Sequence, residues 1–331
     1  MGSKQRLLPW MHEVLSEFRF QTVLDGFSGS GCVSYMLKVM GKQVTANDFL
    51  TFCRTIAHAT VENSVIRIVP GDLDLVLQKD RHAPRFIQKT FEGIFFTPDD
   101  LRFLDRISWN VKKLPDPFSR SLVMAALIRS CVKRQPRGVF TVAGDPQKYK
   151  DGRRDVMLSI EEHFGEQIEV YNRTVFDNGR ENRVLQESIF EVPRIAHGFD
   201  LVYLDPPYVP RADDNCYIKR YHFLEGLACY WQGQEILASS KVKKIRKKYT
   251  PFSYRSDALS AFEQLFLSFR RSILVLSYSS NGFPDLEYLV TLMKKVKKAV
   301  KVFERDHRYH FGTHAAVKRS VVTEYLIIGH D

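Results

Sequence analysis

The stretch "TVLDGFSGSGCVSYMLKVMGKQVTAND", residues 22–48, constrains the fold more than any other. An apolar run of strand character meets four residues, Ser28-Gly29-Ser30-Gly31, in which glycine lets the backbone turn through positive φ and approach a ligand closely. A helix-forming run follows, then Gly41 where a left-handed residue ends a helix, then a second alternating run. Strand, glycine turn, helix and strand in that order predict a βαβ unit and hence an α/β fold around a parallel sheet. Further strands are expected at "QIEVYN", "DLVYLD", "SILVLSYS" and "SVVTEYLIIG". The polar segment before the last, "HRYHFGTHAAVKR", reads as a hairpin or a long loop.

Between 73 and 164 the alternation stops. "TPDDLRFLDRI" offers Thr97 as an N-cap with Pro98 at the first helical position, and "SRSLVMAALIRSCVKR" is an apolar helix with basic residues at its end. The predicted organisation is a catalytic sheet domain from 1–72 and 165–331, with an inserted, mainly helical region at 73–164. No repeat or low-complexity linker interrupts it.

The glycine turn alone does not name a ligand. The dinucleotide pattern G-x-G-x-x-G fails, because Gly29-Ser30-Gly31 is followed by Ser34 at the third glycine position. Asp48 adds to the case. It ends the second strand about 20 residues after the turn, where a carboxylate can accept both hydroxyls of a ribose. An adenosine-containing cofactor is the expectation.

"FDLVYLDPPYVP" then places Asp205, Pro206, Pro207 and Tyr208 at the end of another buried strand. Two prolines fix φ and push the preceding residue to extended form, so an acid, a carbonyl and a ring are held in a set relation. Two acceptors beside a π-face suit an exocyclic amine on an aromatic base. Drawing on the hydrogens of adenine N6 favours a pyramidal nitrogen able to attack an electrophilic methyl, by positioning and preorganised charge. A ring such as Tyr208 stacks on a base with about 1–3 kcal/mol, and a base reached this way must first be flipped out of its duplex.

Taken together these segments resemble the bacterial adenine-N6 DNA methyltransferases related to the deoxyadenosine (GATC) methylase, through nearly the whole chain. The resemblance implies a Rossmann-like sheet, mostly parallel with a reversed C-terminal strand, and a helical DNA-recognition region between cofactor and catalytic motifs. It implies S-adenosylmethionine as cofactor. "GSKQRLLPW" matches the N-terminal cofactor motif, implying that Lys4 meets the methionine carboxylate. "LDGFSGSG" matches the next motif, with Asp25 and Phe27 near methionine and ribose and Gly29 and Gly31 in the turn. Asp48 matches the ribose acid, and "LQESIF" implies Ser188 and Ile189 against the adenine, although many relatives carry Asp at position 188. "DPPY" matches the catalytic motif.

Charge supports a polyanionic partner: 49 Lys and Arg against 38 Asp and Glu. Double-stranded DNA is the expected one, with a cognate restriction endonuclease as a separate partner. Candidate DNA contacts are Lys133, Arg134 and Arg137, Lys219 and Arg220, and Arg308, His310 and Lys318. The run Lys241 to Lys248 is a second basic cluster, whereas Lys294 to Lys301 reads as a solvated helix face. His307, His310 and His314 lack the acid or cysteine that would complete a metal site, and none is expected. Five scattered cysteines with no CxxC pair read as reduced thiols. No membrane span and no signal peptide are visible, so a cytoplasmic protein is expected. Three alternatives stay open on the residues alone: RNA as substrate, cytosine N4 as target, and a catalytically silent DNA-binding protein.

Overall fold

Why the first βαβ unit forms is visible in its ends. In the computed structural model β1 (Thr22–Asp25) leads into the glycine turn, and the helix Cys32–Val39 starts at Gly31, whose φ is 75°. Val33, Met36 and Leu37 bury its apolar side. Gly41, at φ 73°, donates to Lys38 O, and Lys42 N reaches back to Leu37 O, a Schellman closure that turns the chain into β2 (Gln43–Asn47). The structure describes residues 4–144, 152–207, 209, 217–308 and 321–331, and the side chains of Tyr217, Arg308 and Val321 fall outside that description.

Five further strands complete the sheet: β3 (Arg183–Leu185), β4 (Leu201–Leu204), β5 (Ile273–Ser279), β6 (Ala299–Arg308) and β7 (Val321–His330). Their order is β3-β2-β1-β4-β5-β7-β6. β1 to β5 are mutually parallel, and β7 alone is reversed, antiparallel to both β5 and β6. The chain leaves β1 toward β2 and β3, then crosses back to lay β4 on the other side of β1. That reversal makes the carboxyl ends of β1 and β4 the topological switch point, where such sheets open a crevice for ligands.

Burial follows from this position. All four residues of β4 are buried, as expected of a strand covered on both faces. Leu24, Val202, Leu204, Leu274 and Leu276 share one core cluster with Phe262, Leu265 and Phe266 of the helix Arg255–Ser268 and with Leu289, Leu292 and Met293 of the helix Leu286–Lys294.

The contacts sort the chain into two compact units. The sheet unit is Gly2–Phe49, Gly179–Cys216 and Lys248–Asp331; the other, helical, is Leu50–Asn178 with Tyr217–Lys247. The helical unit therefore extends past the 73–164 region drawn from sequence, because Glu225 of the later segment accepts from Thr51 Oγ1 at 2.9 Å and Phe52 N at 3.2 Å. Thr97 caps the helix Pro98–Asn110 in a capping box with Asp100, as its sequence suggests. Tyr221 and Phe223 are buried, and Tyr230 donates to Asp105 at 2.6 Å.

Two expectations are corrected. "QIEVYN" is not a strand but lies in the helix Ile160–Thr174, started by a Ser159–Glu162 capping box and buried along Ile160, Phe164 and Ile168, a helical period. Lys294–Lys301 is not a helix face: the helix Leu286–Lys294 stops at Lys294, Lys297 is buried on Asp331 at 2.7 Å, and β6 begins at Ala299. β3 and β6 were both missed, the first for its three residues and the second for its charge. β6 and β7 pair as far as Arg308↔Val321; positions 309–320, and His310, His314 and Lys318 among them, lie outside the described residues.

Candidate active site

At the switch point β1 and β4 are joined by Gly26 N, which donates to Tyr203 O at 2.9 Å. A Cβ on Gly26 would stand 2.8 Å from Ile189 Cδ1 and 3.2 Å from Leu204 Cδ2, so only glycine fits without displacing them. The turn then folds on itself: Ser28 N donates to Asn47 O at 2.8 Å and Gly31 N to Ser28 O at 2.7 Å. Gly29 and Gly31 both adopt positive φ. Gly29 N donates to Asp48 Oδ2 at 2.9 Å, which ties the turn to the acid at the end of β2. Asn47, unremarked in the sequence, staples three segments. Its amide donates to Gly26 O at 3.2 Å and Glu187 O at 3.1 Å, and its oxygen accepts from Glu187 N at 3.1 Å.

Asp25 ends β1 with no solvent exposure. It accepts from Ser34 Oγ at 2.6 Å and, weakly, from Phe27 N at 3.4 Å. Burial pushes its carboxyl up to about 7, the bond from Ser34 opposes the rise, and the charges of Asp205 and Asp48 add to it. Phe27 meets Phe252 edge-on at 5.6 Å, and Phe190 stacks on the same ring.

Asp205 stands at the end of β4 with its side chain 20% exposed. Lys4 Nζ lies 3.5 Å from its Oδ1 and 2.8 Å from Glu324 Oε2. Lys4, implied by resemblance to meet a cofactor carboxylate, lies in this structure beside these two protein carboxylates. Glu324 was missed, although one acid in "VVTEYLIIG" is a visible break in a core strand. Pro206 is buried and Pro207 half-buried, while Tyr208 lies outside the described residues. Ile189 is buried under Gly26, and Ser188 is exposed, its carbonyl accepting from Glu191 N at 2.9 Å.

The nominated DNA contacts diverge. Arg137 and Arg220 are exposed, Lys219 is half-buried, and Lys133 pairs with Asp155 at 3.2 Å. Arg134 is corrected: it is buried, pairs with Asp100 at 3.2 Å and bonds Val156 O, so its charge serves packing inside the helical unit. Arg308 is described only as backbone in β6. Among the described residues no group of three His, Cys, Asp or Glu could hold a metal, and no helix is long and apolar enough to cross a membrane.

A mostly parallel sheet with one reversed strand, a glycine turn at its switch point and acids at three strand ends define a Rossmann-like nucleotide-binding fold of the methyltransferase type. The family model for D12 class N6 adenine-specific DNA methyltransferases matches residues 1–279, and the chain belongs to that family. It is 29% identical over 322 residues to the Type II methyltransferase M2.HphI of Haemophilus parahaemolyticus, covering 93% of this chain and 90% of that one. It is 22% identical over 326 residues to the Type II methyltransferase M.NlaIII of Neisseria lactamica, covering 93% and 88%. Against the Type II methyltransferase M.FokI of Planomicrobium okeanokoites it is 22% identical over 350 residues, 98% of this chain but 51% of the other, so it spans about half of that protein.

Proposed function

We propose that this chain is a cytoplasmic enzyme that transfers a methyl group from S-adenosylmethionine to N6 of an adenine flipped out of double-stranded DNA. It does so at a short fixed sequence, as the modification component of a restriction–modification system whose nuclease is a separate protein. One observation carries the reading. The acid that closes β4 and the glycine turn that closes β1 are neighbours at one switch point, joined through Gly26 N and Tyr203 O.

The residues of the turn suit the cofactor. Ser28 carries a buried hydroxyl that finds no partner among the described residues, beside two glycines whose backbone a Cβ would strain. Asp48 would accept the ribose hydroxyls, Asp25 would take the methionine end, and Ile189 and Ser188 would border the adenine. When bound, S-adenosylmethionine supplies a methyl carbon made electrophilic by its sulfonium. Asp205 and the Pro206 carbonyl accept the amino hydrogens of the target adenine, freeing the nitrogen lone pair from the ring. Tyr208 stacks on the base. The helical unit, drawn from sequence as 73–164, supplies target recognition, with Arg137, Lys219 and Arg220 among its phosphate contacts.

The test is methylation of matched DNA and RNA with the product nucleoside identified, using wild type, Asp205→Ala and Tyr208→Ala. N6-methyladenine in DNA, lost in both variants, is expected. Its absence from every DNA offered, or full activity of both variants, refutes the assignment.

A further inference from the structure

β7 is built for a core, yet it carries an acid. Glu324 is 1% exposed and sits in register between Ser279 of β5 and Arg305 of β6. An ionised carboxylate so placed persists only with a partner. One partner is the Lys4 ammonium at 2.8 Å, the same group that lies 3.5 Å from Asp205 Oδ1. The reversal of β7 explains the meeting, because its early residues stand at the rim where the parallel strands end.

One ammonium shared by two acids is shared unequally. Charge-assisted N–H···O contacts run about 2.7–2.9 Å, so Glu324 takes a full bond and Asp205 a loose one. We infer that Glu324 is a positioning residue for methyl transfer: it draws the Lys4 ammonium onto itself, so that the cation keeps Asp205 ionised without bonding it at full strength. This rests on the reading of Asp205 as the acceptor of those hydrogens. Lys4 then acts on Asp205 rather than on the methyl donor.

The groups facing Asp205 set the signs. Lys4 comes from the N-terminal turn, Glu324 from β7, Asp25 from β1 and the Tyr203 phenol from β4 itself. Among the described residues Glu324 favours a protonated Asp205 and Lys4 opposes it, while Asp25, raised to about 7, adds its charge only near and above that pH. Glu324→Gln removes the rival for the ammonium, which moves onto Asp205, so the acid limb of the pH profile falls. Lys4→Met removes this cation from between the two carboxylates, so the limb rises. A neighbouring charge is worth about one pH unit or more in either direction.

The experiment is the pH profile of the single-turnover methylation rate, with donor affinity measured in parallel. Expected are limbs displaced in opposite directions by Glu324→Gln and Lys4→Met, rates at least about tenfold down in both, and donor dissociation constants within about threefold of wild type. Glu324→Asp, which keeps the charge, should restore the wild-type limb. Limbs that stay put or move together overturn the inference, as does a tenfold loss of donor affinity in Lys4→Met, which would assign Lys4 to the donor. Should Glu324→Gln not fold, Lys4→Met decides alone: a raised limb with donor affinity kept supports the pair, and an unmoved limb overturns it. Asp205→Ala separates the two readings. Full activity there removes the acceptor role itself, whereas an inactive Asp205→Ala beside a wild-type Glu324→Gln removes only the positioning role.

Discussion

Asp25→Asn tests the electrostatics of the crevice most directly. The carboxyl is fully buried and pushed from its ordinary 3.8 up to about 7, which corresponds to about 4 kcal/mol against the ionised form. The sign follows from proton counts. Between pH 4 and 7 the folded chain keeps a proton that the unfolded chain has released, so this group makes stability fall as pH rises, with the full cost present above 7. Asparagine has nearly the same shape and can still accept from Ser34, but it has nothing to ionise. Relative to wild type, Asp25→Asn should therefore gain about 3 kcal/mol between pH 5 and pH 8. With a urea slope of about 3 kcal/mol/M, the gap between the two midpoints should widen by about 1 M. Other titrating groups cancel in that difference. Donor affinity should fall in the same variant, because a neutral amide no longer answers the donor ammonium, so the protein becomes more stable and less active. A midpoint gap equal at both pH values would refute the argument, since it would mean that Asp25 titrates alike folded and unfolded.

Three further outcomes follow, two from packing and one from surface charge. Gly26→Ala drives a methyl to within 2.8 Å of Ile189 Cδ1; it should cost about 1–2 kcal/mol and weaken donor binding, and unchanged donor affinity by calorimetry would contradict the placement of Ile189. Arg134→Ala leaves the buried carboxylate of Asp100 without its cation and should cost about 3 kcal/mol while leaving the salt dependence of DNA binding unchanged. Arg137→Ala should do the reverse, with normal melting and a salt slope lower by about 1.

The parts legible in the sequence were those written in backbone chemistry. Gly31, Gly41 and Thr97 sit where a left-handed turn or a cap is needed, and each does that work. The run Leu201 to Leu204, followed by Asp205, told of a buried strand because a covered strand has no polar alternation to confuse. What failed were elements decided by partners far along the chain. β6 carries Lys301, Glu304, Arg305 and Asp306 and is a strand only because β7 pairs with it from end to end. "QIEVYN" has the composition of a strand, yet its capping box lies eight residues upstream at Ser159. Within the candidate site, Asn47 and Glu324 escaped for the same reason: each acts through bonds to segments distant in sequence.

The bond between Lys4 and Glu324 spans 320 positions. At a ribosomal pace of about 5–20 residues per second, the lysine waits roughly a quarter of a minute to a minute before its acid has been made. Until then Asp205 has no tempered cation beside it, and β5 has no β7 to lie against. If Glu324 positions Lys4 as inferred, a half-synthesised chain lacks the acid that tempers this cation, and methylation is expected only once translation has passed the reversed strand.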